Sequence, residues 1–366
     1  MSNNSKKAYL VLADGTVFNG YSMGAEGSTI GEVVFNTCMS SYQQLLSDPT
    51  YYGQIVAQTY PLVGNRGVEG SEENSEIMAN GYIAREWCDT PTDIGGGVTL
   101  DEYLKKRGIV GICGIDTRKL TRTLRNQAYV NCAITDNIDD MDRLLYEIKK
   151  YTISGAVEAI TIKEPETYKA ENGKYKVVVI DYGFPRNMIK SLTKRGCEVV
   201  VVPATYTPEQ IMEYKPDGIV FSDGPGDPDD NAQIVKNLTE LLNSDVHCFG
   251  IGLGHQMMGL AVGGKIDKML SGHRGSTQPV KILDTKRIVV TTQNHGYAVN
   301  LNGIDEKLAK VTMINVNDGS VEGIEYSNGK SISVQFTPAD NGTTFDETSW
   351  IYDDFISLMN GEKSNA

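Results

Sequence analysis

Cys248-Phe249-Gly250-Ile251-Gly252-Leu253-Gly254-His255-Gln256-Met257-Met258 is the stretch that decides the fold. An apolar run begins after Asp245, glycine stands at every second position from 250 to 254, and an apolar stripe of helical spacing follows. This pattern predicts a buried strand, a tight turn and the start of a helix. In α/β proteins such a turn can hold a catalytic nucleophile in strained backbone, an arrangement called the nucleophile elbow. Gly252 stands in the middle of the turn, and it has no side chain that could attack a substrate.

The chain around this stretch alternates between strands and helices from about residue 175 onwards. Residues 177–180 are all apolar, as expected for a strand that is covered on both faces. Further strands are predicted at 199–202 and 218–222, and helices at 187–195, 208–213 and 231–242. This alternation predicts an α/β fold with a doubly wound, mainly parallel sheet. Ligands bind such sheets at the carboxyl ends of the strands, which are here the loops 181–187, 223–228 and 250–256.

The first part of the chain has a different character, with short strands, many glycines and few helices. A hairpin is predicted at 8–18, where two apolar runs flank Ala13-Asp14-Gly15. Strands are predicted at 32–36 and 54–60, and helices at 117–125 and 141–151. A polar segment with Pro165 separates the two parts. We therefore predict an N-terminal domain of mixed β-structure with helices at 1–152, a linker at 153–174, and the α/β domain at 175–366, where strands dominate again after residue 279 and a last helix covers 350–359.

Composition sets limits on the class of protein. At 366 residues the chain is long enough for two domains. Its formal net charge of −13 argues against a nucleic-acid backbone or an anionic membrane as the main partner. No apolar run approaches the ~20 residues of a membrane-spanning helix, and the N-terminal residues make a poor signal peptide. The six cysteines are scattered without the spacing of a metal or redox site, so we expect reduced core cysteines in a cytoplasmic protein with no metal and no cofactor.

Long motifs in both halves of the chain point to one family. In the first half they are Phe35-Asn36-Thr37-Cys38-Met39, Ser41-Tyr42-Gln43, Asp48-Pro49-Thr50-Tyr51, Tyr60-Pro61-Leu62-Val63-Gly64-Asn65 and Gly114-Ile115-Asp116-Thr117-Arg118. In the second half they are Gly224-Pro225-Gly226-Asp227-Pro228, Gly254-His255-Gln256, Gly272-His273-Arg274-Gly275 and Gln293-Asn294-His295-Gly296-Tyr297-Ala298-Val299. Through these motifs the chain resembles the small subunit of carbamoyl-phosphate synthase, whose C-terminal half is a class I glutamine amidotransferase. The resemblance covers nearly the whole chain.

The resemblance implies a glutamine-hydrolysing site that this chain does not complete. Members of the family attack glutamine with a cysteine at the elbow, a histidine takes the proton of that cysteine, and a glutamate two residues further on orients the histidine. The matching positions here are Gly252, Thr337 and Ala339, which supply neither a thiolate, nor an imidazole, nor a carboxylate. All four histidines precede residue 296, so no histidine follows in the last segment. We therefore expect this chain to lack glutaminase activity.

The rest of the glutamine pocket is retained, by resemblance. The backbone N–H groups of Gly224 and Leu253 are expected to form the oxyanion hole, in which two donors stabilise a developing negative charge. Thr50 keeps a hydroxyl where the family usually has serine. Glycine at position 252 relieves the ~1–3 kcal/mol of strain that a side chain costs in left-handed backbone. The positions expected to contact glutamine are Thr50, Gly224, Gly226, Leu253, Gln256, Asn294, Gly296 and Tyr297.

Three other side chains are candidates to replace the missing groups. Cys248 lies four residues before the turn, and we interpret it as an inert core residue because free cysteines are among the most buried side chains. His255 lies at the start of the following helix, where the positive end of the helix dipole disfavours a charged ring, and we interpret it as structural. His295 lies in the segment that matches the family's glutamine-contact loop, and we interpret it as a support of that loop.

Two rival motifs fit the glycines less well. A dinucleotide-binding loop would need a third glycine at position 255 and an acidic residue about 20 positions later. His255 stands at the first of these positions, and residues 270–276 contain no acid. The loop 224–228 could in principle cradle a phosphate, but it lacks the lysine and hydroxyl of a P-loop. A tight turn accounts for both stretches.

Three functional hypotheses follow, beside the one that a family label gives. The first is a pseudo-glutaminase, a structural or regulatory partner of the carbamoyl-phosphate synthase large subunit that uses ammonia as nitrogen source, in pyrimidine or arginine biosynthesis. The second is a sensor that binds glutamine without cleaving it. The third is an enzyme with new chemistry in the enlarged pocket, for which no nucleophile–base pair is visible. The family label alone would name a conventional glutamine-hydrolysing small subunit.

Overall fold

The structure is a computed structural model of the chain, and the chain divides into two compact units, Met1–Ile153 and Ser154–Ala366. One sequence motif lies partly outside the described residues, namely the motif that begins at Ser41. The same is true of residues 184–186 in the first expected ligand loop. The residues that the structure describes are 6–39, 42–68, 77–92, 98–125, 127, 130–170, 172–183, 187–327, 329–339 and 347–361.

The first unit is built on a closed barrel. Its described strands are β1 (Lys7–Leu12), β2 (Val17–Gly24), β3 (Thr29–Asn36), β4 (Gln54–Gln58), β5 (Leu62–Val63), β6 (Gly81–Ile83), β7 (Glu86–Trp87), β8 (Val110–Cys113) and β9 (Asn131–Thr135). Its described helices are α1 (Tyr42–Ser47), α2 (Leu100–Lys106), α3 (Thr117–Leu124) and α4 (Met141–Lys150). The barrel has the strand order β1-β2-β8-β6-β4-β3-β9, and β5 pairs with β7 separately. The predicted hairpin is present as the antiparallel pair β1 and β2.

Alternate side chains of the barrel strands fill its interior. Leu10, Ile55, Ile112 and Ile134 come from four different strands and lie in one buried cluster. Their neighbours along the chain face outwards, where helices cover part of the barrel; Val56, for example, packs in a second cluster with residues of α1 and α2. Such a two-residue alternation is expected for strands whose side chains point to opposite faces of a sheet.

The second unit contains one large sheet with helices on both faces. Its described strands are β10 (Glu166–Tyr168), β11 (Tyr175–Asp181), β12 (Cys197–Pro203), β13 (Gly218–Phe221), β14 (His247–Ile251), β15 (Lys265–Ile282), β16 (Ile288–Asn300), β17 (Ala309–Asn315), β18 (Val321–Tyr326) and β19 (Ser331–Val334). Its described helices are α5 (Ala156–Ile160), α6 (Asn187–Lys194), α7 (Pro208–Met212), α8 (Ala232–Leu242), α9 (Leu253–Ala261) and α10 (Trp350–Met359).

The sheet combines a parallel centre with antiparallel flanks. Its order is β10-β12-β11-β13-β14-β19-β18-β17-β15-β16. The neighbours from β12 to β19 in this order run parallel, whereas β10 and the strands from β18 to β16 are joined antiparallel. The predicted α/β fold is confirmed. The parallel strands occupy the centre because both of their faces are apolar and need cover.

The two faces of the parallel strands belong to different cores. On β11, Val177 and Val179 pack in one cluster with side chains of α6 and α10, including Leu192 and Phe355. Val178 and its equivalents face the other side, where they pack with side chains of α8 and α9. Helices therefore cover both faces, as a doubly wound sheet requires.

The segment predicted as a linker, residues 153–174, is not extended between two domains. It contains α5 and the short strand β10, which pairs with β12 at Glu166–Val201 and Tyr168–Val199. The Thr161 hydroxyl donates to the Asp181 carbonyl oxygen over 2.7 Å and is buried. Both elements are too short to show a period in the sequence, and β10 is held by its pairing with β12, so no sign of them is visible in the sequence.

Two further predictions concern single features of the chain. The six cysteines, all of them among the described residues, form no disulfide; four of them are buried, whereas Cys38 and Cys88 are half-buried. The prediction of core cysteines therefore holds for four of the six. Among the described residues, the structure has no helix with the length and apolar character needed to cross a membrane.

Candidate functional site

The strand, turn and helix predicted around Gly252 are present as β14, the turn itself and α9. Gly252 has φ 53° and ψ −110°, a backbone conformation that side chains disfavour. Its N–H donates to the Val334 carbonyl oxygen over 3.0 Å, and its own carbonyl oxygen accepts from the Gln256 N–H over 3.1 Å. A Cβ added to the neighbouring Gly254 would lie 2.2 Å from the Phe221 carbonyl oxygen. The glycines are thus required by a sharp turn that passes close to β13.

The carboxylate of Asp223 lies where a side chain of residue 252 would lie. A Cβ added to Gly252 would be 2.0 Å from Asp223 Oδ1 and 2.2 Å from its Cγ. Two atoms that are not bonded cannot approach so closely. A side chain at position 252 and the present position of the Asp223 side chain therefore exclude each other. Asp223 follows β13, and β13 runs parallel to β14, so the ends of both strands meet at one edge of the sheet.

The same carboxylate binds both backbone donors of the expected oxyanion hole. Asp223 Oδ1 accepts from the Gly224 N–H over 2.8 Å and from the Leu253 N–H over 3.0 Å. Leu253 is the first residue of α9, and the dipole of this helix favours a negative charge at this end. Asp223 is only 9% exposed, so this carboxyl group lies inside the second unit and is not a surface group.

Cys248, the thiol nearest to the elbow in the sequence, is inert. It lies within β14 and is fully buried. Burial raises the pKa of its thiol to about 12, so the thiolate is scarcely populated at neutral pH. Its sulfur faces the carbonyl oxygens of Leu241 and Val246, at 3.9 and 3.7 Å. The interpretation as a core residue is confirmed.

The two polar side chains at the start of α9 are buried and serve the fold. His255 Nδ1 lies 2.7 Å from the Ser333 hydroxyl on β19, and burial lowers the pKa of His255 to about 3. This ring is therefore neutral at physiological pH, as expected. Gln256 Nε2 donates to the carbonyl oxygen of Tyr297 over 3.1 Å and to Gln335 Oε1 over 3.0 Å. Gln256 thus ties the helix to β16 and to the end of β19.

His295 belongs to a buried network on the antiparallel part of the sheet. It stands opposite His273 in the β15–β16 pairing, with the two rings edge to face at 5.0 Å. Burial, together with the neighbouring His273, lowers the pKa of His295 well below its ordinary value. Burial also opposes protonation of His273, but the carboxylates of Glu322 and Asp318 outweigh it and raise the pKa of His273. His295 was expected to support a loop, but it lies within β16, so the two rings pack inside the sheet. Both histidines precede β19, whereas the position that matches the family's catalytic histidine follows it.

Three described residues have donor atoms that lie within 4.8 Å of one another and could approach a metal ion together: His273, His295 and Glu322. Their atoms already have partners. Glu322 accepts from Gln293 Nε2 over 2.9 Å and from Asn315 Nδ2 over 3.3 Å. His295 Nδ1 lies 2.8 Å from the Tyr297 carbonyl oxygen, and its Nε2 lies 3.0 Å from the Gln293 side-chain oxygen. We interpret the cluster as a hydrogen-bonded network that shapes the sheet, and not as a metal centre.

The positions expected to contact glutamine lie in two different units. Gly224, Gly226, Leu253, Gln256, Asn294, Gly296 and Tyr297 are all in the second unit, and Thr50 is in the first. Within the second unit, Asp223 joins Gly224 to Leu253, Gln256 is bonded to Tyr297, and the Tyr297 hydroxyl donates to Asp227 Oδ2 over 2.8 Å. The Thr50 hydroxyl donates to Asp48 Oδ1 over 2.6 Å, at the start of the short 3-10 helix Pro49–Tyr51 of the first unit.

Thr337 and Ala339, which match the positions of the family's histidine and glutamate, come soon after β19. The strand β19 runs parallel to β14, so these residues leave the sheet at the same edge as Gly252. The Thr337 N–H donates to the Thr292 carbonyl oxygen over 3.1 Å, and the Ala339 N–H donates to the Thr348 hydroxyl over 2.9 Å. Neither side chain can take or give a proton near neutral pH.

Sequence reasoning missed Asp223. It assigned the loop 223–228 to the ligand edge of the sheet but weighed only the glycines and prolines in it. One signal could have found it, because an acidic residue directly follows an apolar strand at the edge where ligands bind. The distance from Asp223 to the empty elbow position could come only from the structure.

Comparisons with known proteins agree with this architecture. The family model "Carbamoyl-phosphate synthase small chain, CPSase domain" matches residues 10–134, and "Glutamine amidotransferase class-I" matches residues 178–358. The carbamoyl phosphate synthase small chain of Fusobacterium nucleatum subsp. nucleatum is 40% identical over 349 residues, covering 95% of this chain and 96% of its own. That of Syntrophotalea carbinolica is 41% identical over 371 residues, covering 96% and 98%.

The solved structure of PurLQS from Thermotoga maritima matches 51% of this chain and 99% of its own chain, with 14% identity and a TM-score of 0.40. The two family models account in turn for the barrel unit and for the sheet unit. The relatives are similar along almost their whole length. The chain therefore belongs to the carbamoyl-phosphate synthase small chain family, with a class I glutamine amidotransferase domain in its second half.

Proposed function

We propose that this chain acts as the partner of a carbamoyl-phosphate synthase large subunit and does not itself hydrolyse glutamine. The complex would then take free ammonia as its nitrogen source. The partner is suggested by the names of the relatives, which are small chains, and by their similarity over almost the full length. The loss of hydrolysis is suggested by the elbow.

One observation carries the proposal: Gly252 occupies the elbow, and the carboxylate of Asp223 occupies the space of the side chain that Gly252 lacks. Covalent glutamine hydrolysis needs a nucleophile at this point, within reach of a base. A carboxylate that is hydrogen-bonded to two backbone N–H groups is held in place and is a poor nucleophile. It also occupies the donors that would stabilise the reaction intermediate.

The other candidate groups support the same conclusion. Cys248 is buried within its strand, and burial raises the pKa of its thiol to about 12. His255 is buried and faces Ser333, and burial lowers its pKa to about 3. A general base works best when its pKa is near the working pH and when it reaches the nucleophile. Neither residue meets both conditions.

A conventional glutamine-hydrolysing small chain is the second candidate, and the identity of 40% to a curated small chain favours it. Under that hypothesis another residue would have to act as nucleophile. A glutamine sensor is the third candidate, since two of the positions expected to contact glutamine, Gln256 and Tyr297, are joined by a hydrogen bond in the second unit. All three candidates differ in what the pure chain does with glutamine.

The test is co-purification with the large subunit from the same organism, followed by carbamoyl-phosphate synthesis with either glutamine or ammonia. We expect a stable complex that is active with ammonia and inactive with glutamine. The pure chain should release no ammonia from glutamine above a heat-killed control. Glutamine-dependent synthesis, or glutaminase activity of the pure chain, would refute the loss of hydrolysis. Failure to form any complex would refute the partnership.

A gain-of-function variant provides the matched control. Gly252→Cys, Thr337→His and Ala339→Glu would restore the three reactive groups at the matching positions. The members of a catalytic triad act as a unit, so each substitution alone should remain inactive. Asp223→Ala is added to the triple variant, because a side chain at residue 252 and the present position of the Asp223 carboxylate exclude each other. This combined variant tests whether the missing groups limit the reaction, and it uses the same partner and the same assay.

A further inference from the structure

The oxyanion hole expected in this pocket already contains an anion that belongs to the chain. Asp223 Oδ1 receives hydrogen bonds from the N–H groups of Gly224 and Leu253, at 2.8 and 3.0 Å. In an amidotransferase these donors would have to bind an oxygen of the substrate. One acceptor atom now satisfies both, and its side chain is buried.

We propose that Asp223 is a built-in ligand of this hole and that it determines the specificity of the site by excluding the amide oxygen of glutamine and the oxygens of small carboxylates. This inference rests on the proposed function, because it explains why the expected oxyanion hole of a non-hydrolysing small chain does not take an oxygen of glutamine. It goes further in one respect: the proposed function requires only that glutamine is not cleaved, whereas a filled hole requires that glutamine does not bind there.

The Asp223 side chain can take this position because residue 252 is glycine. A Cβ on residue 252 would lie 2.0 Å from Oδ1, 2.2 Å from Cγ and 2.6 Å from Oδ2 of Asp223. These distances are far below a van der Waals contact, and all three involve the carboxylate. A nucleophile at 252 and a bound carboxylate from Asp223 are therefore alternatives. The absence of a side chain at residue 252 and the position of the Asp223 carboxylate are therefore coupled.

An internal carboxylate is a stronger occupant of the hole than an external amide. Hydrogen bonds to a charged acceptor are roughly twice as strong as those to a neutral oxygen. The positive end of α9 adds to this preference, because Leu253 is its first residue. Asp223 is also attached to the chain one residue from Gly224, so its effective concentration at the hole far exceeds the concentration of any free competitor.

The test measures binding to the hole in variants that vacate it. Asp223→Ala removes the carboxylate, and Asp223→Ser is a second variant in case the first does not fold. Asp229→Ala is the matched control, since Asp229 is an exposed acid directly after the same loop and its loss changes the net charge equally. Folding of each variant is checked by circular dichroism. Glutamine binding is followed by calorimetry on the full chain.

Formate serves as a second probe because it needs only the two N–H donors and no other part of the pocket. The amide resonance of Leu253 is followed in protein labelled with ¹⁵N-leucine, with Leu253→Met used for its assignment. We expect formate to shift this resonance in the folded Asp223→Ala or Asp223→Ser chain and to leave it unchanged in the wild type and in Asp229→Ala. Glutamine and formate should each bind the variant with the vacated hole at least about tenfold more tightly than they bind the wild type.

The outcomes separate this inference from the proposed function. Wild-type chain that binds glutamine as tightly as Asp223→Ala, without cleaving it, would overturn the inference and leave the proposed function intact. Folded Asp223 variants in which formate does not move the Leu253 resonance would also overturn it. Hydrolysis of glutamine by the wild-type chain would overturn the proposed function itself.

Discussion

Substitution of Gly252 by alanine should destabilise the second unit far more than its small size suggests. The added Cβ would lie 2.0 Å from Asp223 Oδ1, so the carboxylate must leave its two N–H partners. Hydrogen bonds to charged groups contribute about 1.5–3 kcal/mol each. The backbone conformation of residue 252 adds about 1–3 kcal/mol of strain when a side chain is present. We expect the free energy of unfolding to fall by about 4 kcal/mol or more.

Most of this loss should disappear when Asp223 is already absent. In an Asp223→Ala background the hydrogen bonds are lost beforehand, and Gly252→Ala then costs only the backbone strain of about 1–3 kcal/mol. The double-mutant cycle should therefore give a coupling energy of at least about 2 kcal/mol. Gly303→Ala is the matched control, since Gly303 has φ +87° and nothing within 4 Å of its added Cβ. It should cost the strain alone.

Urea unfolding followed by tryptophan fluorescence measures these free energies. The chain has two tryptophans, one in each unit, so a Trp87→Phe background leaves Trp350 as the reporter of the second unit. All variants are compared in this background, and coincident transitions by circular dichroism would check that the second unit unfolds in one step. Two results would refute the reasoning: additivity within about 0.5 kcal/mol, or a cost of Gly252→Ala that equals that of Gly303→Ala.

Three other expectations follow from the buried groups. Burial lowers the pKa of His255 from 6.5 to about 3, so below pH 6.5 the unfolded chain binds more protons than the folded chain. The free energy of unfolding should therefore decrease as the pH is lowered, by about 2 kcal/mol from pH 7.5 to pH 5. Urea titrations should show a smaller decrease in His255→Asn. Burial raises the pKa of the Cys248 thiol to about 12, so Cys248 should resist iodoacetamide in the native chain while half-buried Cys38 reacts. Peptide mass mapping identifies the modified cysteines, and modification of Cys248 before Cys38 would contradict its burial. Glu322 helps to raise the pKa of His273, so Glu322→Gln should lower that pKa in an NMR titration, and an unchanged value would exclude this carboxylate as a cause.

Much of the second unit could be predicted because its elements repeat a simple pattern. The last helix lies at Trp350–Met359 as expected, and the apolar runs at 177–180 and 199–202 lie within β11 and β12. Continuous apolar runs of this kind identify strands with two covered faces. The physical basis is local, since each element buries its own apolar side chains.

The antiparallel part was harder to predict. Strands were expected to dominate only after residue 279, yet β15 already begins at Lys265 and extends to Ile282. Its pairing with β16 shifts register after Lys268 and after Gly275, which breaks the two-residue alternation. Much of β15 is also exposed, so its sequence shows little apolar pattern. This strand is held by its neighbours, and its own side chains give a weak signal.

The candidate site divides in the same way. Its outline could be predicted from the strand ends, because parallel strands bring their carboxyl ends to one edge of the sheet. That rule placed the loops 223–228 and 250–256 together. The rule gives proximity of loops and no positions of atoms, so it could not predict which side chain fills the elbow.

The sequence by itself determined what this protein lacks. Residue 252 is glycine, and no histidine follows His295, and no folding can change these covalent facts. Only the tertiary structure decided what stands in the vacant position. Asp223 reaches the N–H of Leu253, 30 residues further along the chain, because the parallel pairing of β13 and β14 places the end of one strand beside the start of α9. A contact between residues so far apart depends on strand pairing over the whole sheet, and the local sequence does not encode it.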